Sequence, residues 1–286
     1  MTTEPFVPLP VRPGEHACAR FAESRDGERL AVAFVRDGLR RGHKVVYLCD
    51  SDDVTALESA LAAVDDEVLP AIHRGQLAFR PARSLCLDPD GTFDGDRVLE
   101  LARNEHARAL AEGYAGLSLT GEMSWVLCGT PAVSGDVAAW ERRYGEEPAD
   151  PTRVLLCQYD HARVGPGALT DVAAAHGVDV SPELSPIGRD GSIAAALIRP
   201  AGTLRLAGEL DFGCANALAD VLDAHFHGPL RLDLEDIAFA DVAGLRALRG
   251  RKGQVVTIAG ASNPVRRLLA LLGWDTDPQV ELVETA

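Results

Sequence analysis

The sequence predicts an α/β protein with two domains, a larger one built on an open, mostly parallel sheet and a small α/β domain after it. Its 286 residues are more than one hydrophobic core usually serves. Continuous apolar runs such as KVVYLCD (44–50) are typical of parallel strands buried on both faces. These runs alternate with segments that repeat apolar residues at helical spacing. Repeated strand–helix units of this kind form a parallel sheet with helices on both faces.

Residues up to 160 alternate between strand and helix patterns. The first helix pattern stops at Gly42, and the second opens with a Ser/Asp cap at 51–53. The strand patterns cover 16–22, 44–50, 76–81, 115–123 and 152–160. The helix patterns cover 27–42, 51–64, 93–113 and 133–146.

A change of composition separates the two domains. Residues 178–192 are rich in Pro, Ser, Gly and Asp and show little periodicity, which is typical of a linker. We therefore predict an N-terminal domain over 10–176, a linker over 177–192 and a C-terminal domain over 193–286. The C-terminal domain has strand patterns over 193–200, 203–211, 229–236 and 254–261, and helix patterns over 213–226, 243–250 and 263–273.

The composition excludes several classes of protein. Hydrophobic residues make up 47% and charged residues 25% of the chain, and no apolar run approaches the roughly 18 residues of a membrane span. The N-terminus lacks the basic-then-apolar order of a signal peptide, so we expect a cytoplasmic protein that does not bind membranes. The net charge of −15 disfavours direct binding of nucleic acid, because the phosphates would be repelled.

The six cysteines lie far apart, without a C-x-x-C pair, and most fall in apolar runs. In a cytosolic protein we expect them to be reduced and buried. A mixed zinc or iron site could form from His16 and Cys18 with a ligand from a neighbouring strand. The candidates for that ligand are Cys49, Cys157 and His161. Nothing in the spacing requires such a site, so we predict no metal and no cofactor.

One loop of the C-terminal domain has the frame of a presentation loop but presents only methyl groups. Residues 234–248 predict a buried strand, a turn and the start of a helix. Asp241 can cap that helix, and Gly244 relieves crowding. The residues between them, Val242 and Ala243, carry no hydroxyl, charge or thiol.

Three segments of this domain resemble the STAS domain of anti-sigma-factor antagonists over nearly all of 193–280. They read LRLAGELDFGCANAL, LRLDLEDIAFADVAGLRAL and VTIAGASNPVRRLLALLGW. In that family the loop reads Asp-Ser-Ser-Gly-Leu, and a serine kinase that is also an anti-sigma factor phosphorylates the second serine. Phosphate there blocks binding, so the resemblance implies a docking loop for such a kinase. It places Ala243 where the phosphorylatable serine stands, so the covalent switch is missing.

The loop and its neighbours form the partner surface that the resemblance implies. The partner-binding candidates are Asp211, Phe239, Asp241, Val242, Ala243 and Gly244. An exposed Phe or Val beside a helix start can act as a small hot spot. Either the domain binds its partner permanently and is regulated elsewhere, or it is a passive oligomerisation module. A third alternative is that Asp241 is only a helix cap and the loop only packs.

The N-terminal domain lacks the loop that a nucleotide would need. A phosphate cradle reads G-x-x-x-x-G-K-[ST], because backbone N–H groups and a lysine wrap the phosphates. At that place the chain reads FAESRDGERL (21–30), whose three carboxylates would repel a triphosphate. We therefore expect no ATPase. No G-x-S-x-G motif or base-paired cysteine indicates covalent catalysis either.

The N-terminal domain instead resembles the MEDS sensory domain (methanogen/methylotroph, DcmR-like) across most of 10–176. The segments that carry the likeness are PGEHACARFAE, FVRDGLRRGHKVVYLCD, DGTFDGDRVLELARNE, EGYAGLSLTGEMSW and LLCQYDH. The resemblance implies a RecA- or KaiC-like sheet without a P-loop that senses small molecules, hydrocarbon derivatives among them. The resemblance also implies that the sensory domain passes its signal to an output domain. Because the output domain here resembles a STAS domain, we expect a protein partner.

Ligand sites of open α/β sheets form beyond the carboxyl ends of the strands. Here those ends offer acids beside aromatic residues, and the first strand adds a histidine and a cysteine that alternation places on one face. The ligand-binding candidates are His16, Cys18, Asp50, Glu122, Trp125, Tyr159 and Asp160. The plain alternatives are that Asp50 and Asp160 cap helices and that Trp125 fills the core.

The main interpretation is a cytoplasmic signalling regulator that is not an enzyme. In it, a small-molecule sensor controls a STAS domain that binds an anti-sigma factor or related serine kinase. Two alternatives come from other classes of protein. One is a scaffold in which STAS domains form a homo-oligomer. The other is an enzyme that does not use ATP and acts on a small substrate in the N-terminal domain.

Overall fold

The computed structural model describes residues 9–50, 54–128, 131–180, 184, 192–199, 201–249 and 253–283. The chain divides into two compact units. The N-terminal unit is Val11–Asp179, and the C-terminal unit is Val180–Ala286 together with the start of the chain up to Pro10. The expected boundaries at 176 and 193 stay predictions, because most of the segment between them lies outside the described residues.

The N-terminal unit alternates strands and helices from end to end. Its strands are β1 (His16–Phe21), β2 (Lys44–Cys49), β3 (Leu77–Pro81), β4 (Leu117–Glu122), β5 (Arg153–Asp160) and β6 (Val178–Val180), the last at the boundary of the two units. Its helices are α1 (Ser24–Arg40), α2 (Thr55–Val64), α3 (Val68–His73), α4 (Ala82–Cys86), α5 (Gly95–Ala111), α6 (Ser124–Leu127), α7 (Pro131–Gly145) and α8 (Pro166–Ala175).

The strands form an open sheet in the order β6-β1-β5-β4-β2-β3. The pairs β1/β5, β5/β4, β4/β2 and β2/β3 are all parallel. Every residue of β2 is buried, as the continuous apolar run at 44–50 requires of a strand covered on both faces. The predicted fold class, a largely parallel sheet flanked by helices, is confirmed.

Four short helices escaped the sequence patterns: α3, α4, α6 and α8. Three of them have four to six residues, too few for a helical repeat to show. Helix α1 begins three residues before the predicted start, at Ser24. The Ser/Asp cap predicted at 51–53 lies outside the described residues.

The predicted linker begins with a strand. Asp179, in the middle of β6, has a fully buried side chain. Both of its oxygens accept hydrogen bonds from Arg20 on β1, at 3.1 and 2.9 Å. The sequence did not predict this strand, because three residues with a charged centre show no alternation of apolar and polar side chains. The charge of Asp179 can be buried because Arg20 pairs with it.

The C-terminal unit is a small α/β domain, as predicted. Its strands are β7 (Ile193–Ile198), β8 (Thr203–Leu210), β9 (Leu230–Ala240), β10 (Val256–Ala259) and β11 (Val280–Leu282). Its helices are α9 (Phe212–His225), α10 (Val242–Ala247) and α11 (Asn263–Leu271). The order is β11-β10-β9-β8-β7, with β7 antiparallel to β8 and the other pairs parallel. The sequence missed β11, which has only three residues.

Gly116 fixes where β4 meets β5, and this leads to a prediction. A Cβ at Gly116 would overlap the backbone carbonyl of Thr152, the group that accepts the first hydrogen bond from β4. We expect Gly116→Ala to lower the free energy of unfolding by about 3 kcal/mol, because a backbone neighbour cannot move aside. Urea denaturation measures this.

The matched control is Gly167→Ala. Gly167 lies in the first turn of α8, and a Cβ there meets no atom within 4 Å. Alanine should leave the free energy of unfolding unchanged or raise it by up to about 1 kcal/mol. Equal effects of the two substitutions would show that Gly116 does not set the spacing of the strands.

Candidate functional site

Acids and arginines form a network at the carboxyl ends of β2 and β4. Arg163 lies between the acids: Nη2 donates to Asp50 at 2.8 Å, and Nη1 donates to Glu122 at 2.7 Å. Arg83 donates to the other oxygen of Asp50 at 2.9 Å. Because two arginines already bind these carboxylates, a ligand here has to displace or join charge-assisted hydrogen bonds.

Two further hydrogen bonds connect this network to the end of β5. Glu122 also accepts from the backbone N–H of Ser124 at 2.8 Å, and the Ser124 hydroxyl accepts from the N–H of Asp160 at 2.7 Å. Burial raises the pKa of Glu122 above its ordinary value, and the bonds from Ser124 oppose that rise. The Asp160 carboxylate accepts from the N–H of Ala162 at 2.7 Å and stabilises the turn after β5.

The structure therefore does not bring the seven predicted ligand-binding residues together in one site. Asp50, Glu122 and Asp160 share the network, and Trp125 lies buried in the core with Arg83 5.0 Å from its ring centroid. The other three residues, His16, Cys18 and Tyr159, do not join them. Cys18 belongs to the apolar core, in register with Cys157 of β5. His16 and Tyr159 meet around a different acid.

That acid is Glu141 on α7, whose side chain has no exposed surface. Tyr159 donates its hydroxyl to Oε1 of Glu141. The other oxygen, Oε2, lies 3.1 Å from Nε2 of His16 and 3.4 Å from Nε2 of His176. Sγ of Cys157 is 3.7 Å from the same oxygen and 3.4 Å from Nε2 of His16. We call His16, Glu141, Cys157 and His176 the buried cluster.

Four elements of the N-terminal unit position the buried cluster. His16 begins β1, and Cys157 lies on β5, where alternation places it on the same face as Tyr159. Glu141 is in the last turns of α7. His176 follows the last residue of α8, and its Nδ1 lies 2.8 Å from the carbonyl oxygen of Val172.

Mutual pairing controls the ionisation of the buried cluster. Burial alone would raise the pKa of Glu141, but His176 and His16 outweigh burial and hold it well below the usual range. Burial would lower the pKa of His176, but the carboxylate of Glu141 raises it above the ordinary value. For His16, burial and the charge of His176 lower the pKa. Burial and Glu141 together raise the pKa of the Cys157 thiol.

Several polar atoms around the buried cluster have no hydrogen-bond partner among the described residues. They are Nδ1 of His16, Nε2 of His176 and the hydroxyl of Tyr144. The His16 ring packs between the other two rings, with centroid distances of 4.3 Å to His176 and 4.8 Å to Tyr144. Buried polar atoms without partners are uncommon in folded proteins, and three of the seven such atoms among the described residues lie in or beside this cluster.

Sequence reasoning considered His16 and Cys157 but missed Glu141 and His176. A signal for Glu141 was present: it lies four residues after Val137 and three before Tyr144, both buried on the same face of α7. An acid on the apolar face of an amphipathic helix indicates a buried partner. His176 gave no such signal, because a histidine at a helix end is ordinarily explained by the helix dipole.

Two aspartates, Asp211 and Asp241, cap helices α9 and α10 of the C-terminal unit. Asp211 caps α9 by accepting from the N–H of Gly213 at 2.8 Å. Asp241 caps α10 with one oxygen, which accepts from Gly244 at 2.8 Å, and its other oxygen accepts from Phe212 at 3.1 Å. Since this last bond reaches the start of α9, the two helix N-termini lie side by side.

Gly244 has a packing role in this loop. It is buried, and a Cβ there would overlap the carbonyl of Leu210 at the end of β8. The glycine therefore lets α10 approach β8 closely, as expected of a position where crowding must be relieved. Ala243, beside it, is half-buried.

Large apolar side chains are exposed around these two helix starts. Phe212 is 75% exposed, Phe239 51% and Val242 40%. Phe239 and Val242 were predicted partner residues. We call Phe212, Phe239 and Val242 the apolar surface.

A shallow pocket of about 500 Å³ lies elsewhere in the N-terminal unit, between the start of α5 and α7. Asp94, Trp140 and Arg143 contribute to its lining. None of the seven predicted ligand-binding residues lines this pocket.

Comparison with known families agrees with this architecture. Residues 15–177, more than half of the chain, match the family described as "MEthanogen/methylotroph, DcmR Sensory domain". The chain belongs to the MEDS family. Residues 194–284 match the family described as "Mlab, STAS domain". A sensory domain followed by a STAS domain is the architecture of a signalling regulator.

The similar solved structures have low sequence identity to this chain. The flagellar accessory protein FlaH from Methanocaldococcus jannaschii is 14% identical, with a TM-score of 0.41, covering 68% of this chain and 76% of its own. A Pyrococcus horikoshii protein is 9% identical, with a TM-score of 0.41, covering 59% and 82%. No curated protein matches the chain. Among the described residues, no helix is both long enough and apolar enough to span a membrane.

The burial of Glu141 leads to a second prediction. Removing its charge leaves two histidines without their acid in the interior of the MEDS unit, and breaking a buried ion pair typically costs about 3–5 kcal/mol. We expect Glu141→Gln to lower the free energy of unfolding by that amount, measured by urea denaturation at neutral pH. The control is Glu146→Gln, one turn further along and exposed, with an expected change within about 0.5 kcal/mol. A loss below 1 kcal/mol for Glu141→Gln would contradict the central role of this carboxylate.

Proposed function

We propose that the protein is a signalling regulator whose STAS unit binds an anti-sigma factor or related serine kinase through the apolar surface. One observation carries the proposal: three large apolar side chains are exposed beside two capped helix starts in a single small unit. Apolar groups held on a rigid frame make efficient hot spots, because little conformational entropy is lost on binding. The resemblance of this loop to the docking loop of anti-sigma-factor antagonists supports the choice of partner.

The identity of residue 243 sets the mode of regulation that we propose. Ala243 stands where the resemblance places a phosphorylatable serine, so a kinase partner cannot release itself by modifying this loop. The cap from Asp241 and the close packing of Gly244 preserve the shape of the loop. We therefore propose that control of binding comes from the MEDS unit.

For the MEDS unit, we propose that a small molecule binds at the network of Asp50, Glu122 and Arg163. Charged groups at the carboxyl ends of parallel strands can anchor a polar ligand. Nearby, residues 21–30 carry acids where a phosphate cradle would need glycines and a lysine. We therefore propose regulation, not nucleotide chemistry, as the role of this unit.

The docking proposal predicts a specific loss of partner binding. In affinity capture from the native cytoplasm, the full-length protein should retain a protein with a serine-kinase-type ATPase domain. Phe239→Asp should abolish that capture, because a carboxylate in an apolar interface is costly to desolvate. The control is Leu271→Asp, which changes an 83% exposed leucine on α11, outside the apolar surface. The proposal is wrong if both variants capture the same proteins as the wild type.

Three substitutions at residue 243 test the mode of regulation. With the captured kinase and ATP, Ala243→Ser should become phosphorylated, whereas the wild-type loop should not, as mass spectrometry of the loop peptide would show. Ala243→Glu should weaken binding by about tenfold or more relative to Ala243→Gln, because only the glutamate brings a charge. All three substitutions lie at a helix start that tolerates polar and acidic residues, so the fold should persist. Equal affinities of the Glu and Gln variants would place residue 243 outside the interface.

The scaffold alternative gives a different result. If the apolar surface holds copies of this chain together, light scattering should show an oligomer that Phe239→Asp converts to a monomer. Leu271→Asp should leave that oligomer intact. This outcome would replace the kinase by a second copy of the chain.

A further inference from the structure

The four side chains of the buried cluster converge on one point. Each residue contributes one possible ligand atom, and these four atoms all lie within 4.8 Å of one another. Four of the six separations are known individually, at 3.1, 3.4, 3.4 and 3.7 Å. Zinc bonds to nitrogen, oxygen and sulfur of about 2.0–2.3 Å, arranged as a tetrahedron, put neighbouring ligand atoms about 3.3–3.7 Å apart. The four known separations, from 3.1 to 3.7 Å, lie close to these spacings.

Hydrogen bonds from residues outside the cluster orient the side chains of His176 and Glu141. Nδ1 of His176 lies 2.8 Å from the carbonyl oxygen of Val172, which holds a proton on Nδ1 and makes Nε2 the nitrogen that faces Glu141. Tyr159 binds Oε1 of Glu141, which leaves Oε2 for the cluster. A backbone carbonyl behind a histidine and a hydrogen-bond donor behind a carboxylate are the supports that metal ligands have in proteins.

The contacts between the four residues leave one atom poorly satisfied. Nε2 of His176 is buried and has no hydrogen-bond partner, although it lies 3.4 Å from a carboxylate oxygen. Without a metal, a proton on this nitrogen pairs with the carboxylate, because Glu141 outweighs burial and raises the pKa of His176. A metal ion would take the place of that proton and would bind the oxygen and the sulfur as well.

The donor set selects the class of cation. Two imidazoles, one thiol and one carboxylate suit a borderline transition metal, and they are unlike the all-oxygen ligands of Ca²⁺ and Mg²⁺. Tetrahedral spacing with a sulfur ligand favours Zn²⁺ over Cu²⁺, which prefers a planar arrangement. His16 keeps 10% of its side chain exposed, whereas Glu141 and His176 have none exposed. His16 therefore lies on the side from which an ion reaches the cluster.

We propose that His16, Glu141, Cys157 and His176 bind a divalent transition metal ion, Zn²⁺ by preference, inside the MEDS unit. The sequence alone led us to expect no metal. The structure adds two ligands that sequence reasoning missed, and they complete a four-ligand set with His16 and Cys157. This inference goes beyond the proposed function, because it does not depend on which partner the STAS unit binds.

Metal binding is tested on the full-length protein with Zn²⁺ and Co²⁺ as the only additions. After stripping with a chelator and loading, elemental analysis should find one Zn²⁺ per chain, and the melting temperature should rise. Co²⁺ should give the intense visible bands of a tetrahedral site and a sulfur-to-cobalt charge-transfer band in the near ultraviolet. Because these measurements use the wild-type chain, they do not depend on whether any variant folds.

Variants then assign the ligands. Cys157→Ser should lose the charge-transfer band and bind Zn²⁺ about 100-fold more weakly, and Tyr159→Phe should weaken binding by about 10- to 100-fold while keeping the band. The control is Cys49→Ser, another buried cysteine of the same unit, which lies at the end of β2 and should bind like the wild type. The proposal is overturned if the wild type binds no stoichiometric metal. It is also overturned if the cobalt spectrum lacks the sulfur band, or if Cys157→Ser and Cys49→Ser bind equally well.

Discussion

The N-terminal unit depends on the protein groups that surround one buried carboxylate. Glu141 has no exposed surface, and burying an ionised carboxyl group costs several kcal/mol unless partners replace the lost water. Its partners come from three other elements: His16 from β1, Cys157 and Tyr159 from β5, and His176 from the end of α8. Each of these elements must therefore stay in place for the charge to be tolerated. A site for an ion at this position is, in the same way, a constraint on how α7 and α8 pack over the sheet.

The C-terminal unit uses polar groups differently. Asp211 and Asp241 serve as caps and as ties between two helix starts, and their oxygens are occupied by backbone N–H groups. The exposed chemistry of the loop is apolar, from Phe212, Phe239 and Val242. The methyl-lined loop of the sequence is thus a rigid frame that presents hydrophobic side chains. Such a frame suits permanent recognition of a protein better than reversible modification. In the function that we propose, the regulatory input comes from the MEDS unit.

The sequence predicted the fold better than the site, for physical reasons. The run at 44–50 shows its burial directly, and so β2 was predicted within one residue of its observed end. Strand β6 was read as linker, because its charge is neutralised by Arg20, distant along the chain. Sequence also grouped acids and aromatic residues at the strand ends, and the arginines that join those acids were not considered. Glu141 was missed because an acid in a helix ordinarily faces solvent, and only its alignment with Val137 and Tyr144 marked it as buried.

The central claim is that Glu141 and its neighbours are built around a cation and are more than an internal ion pair. X-ray absorption at the zinc edge, on the full-length chain loaded with one equivalent of Zn²⁺, tests this claim most directly. We expect four nearest atoms, of which one is sulfur at about 2.3 Å and three are nitrogen or oxygen at about 2.0–2.2 Å. Substitution of Cys157 by Ser should remove the sulfur signal. A spectrum with oxygen neighbours only and no sulfur would show an ion bound elsewhere on the surface and would contradict the claim.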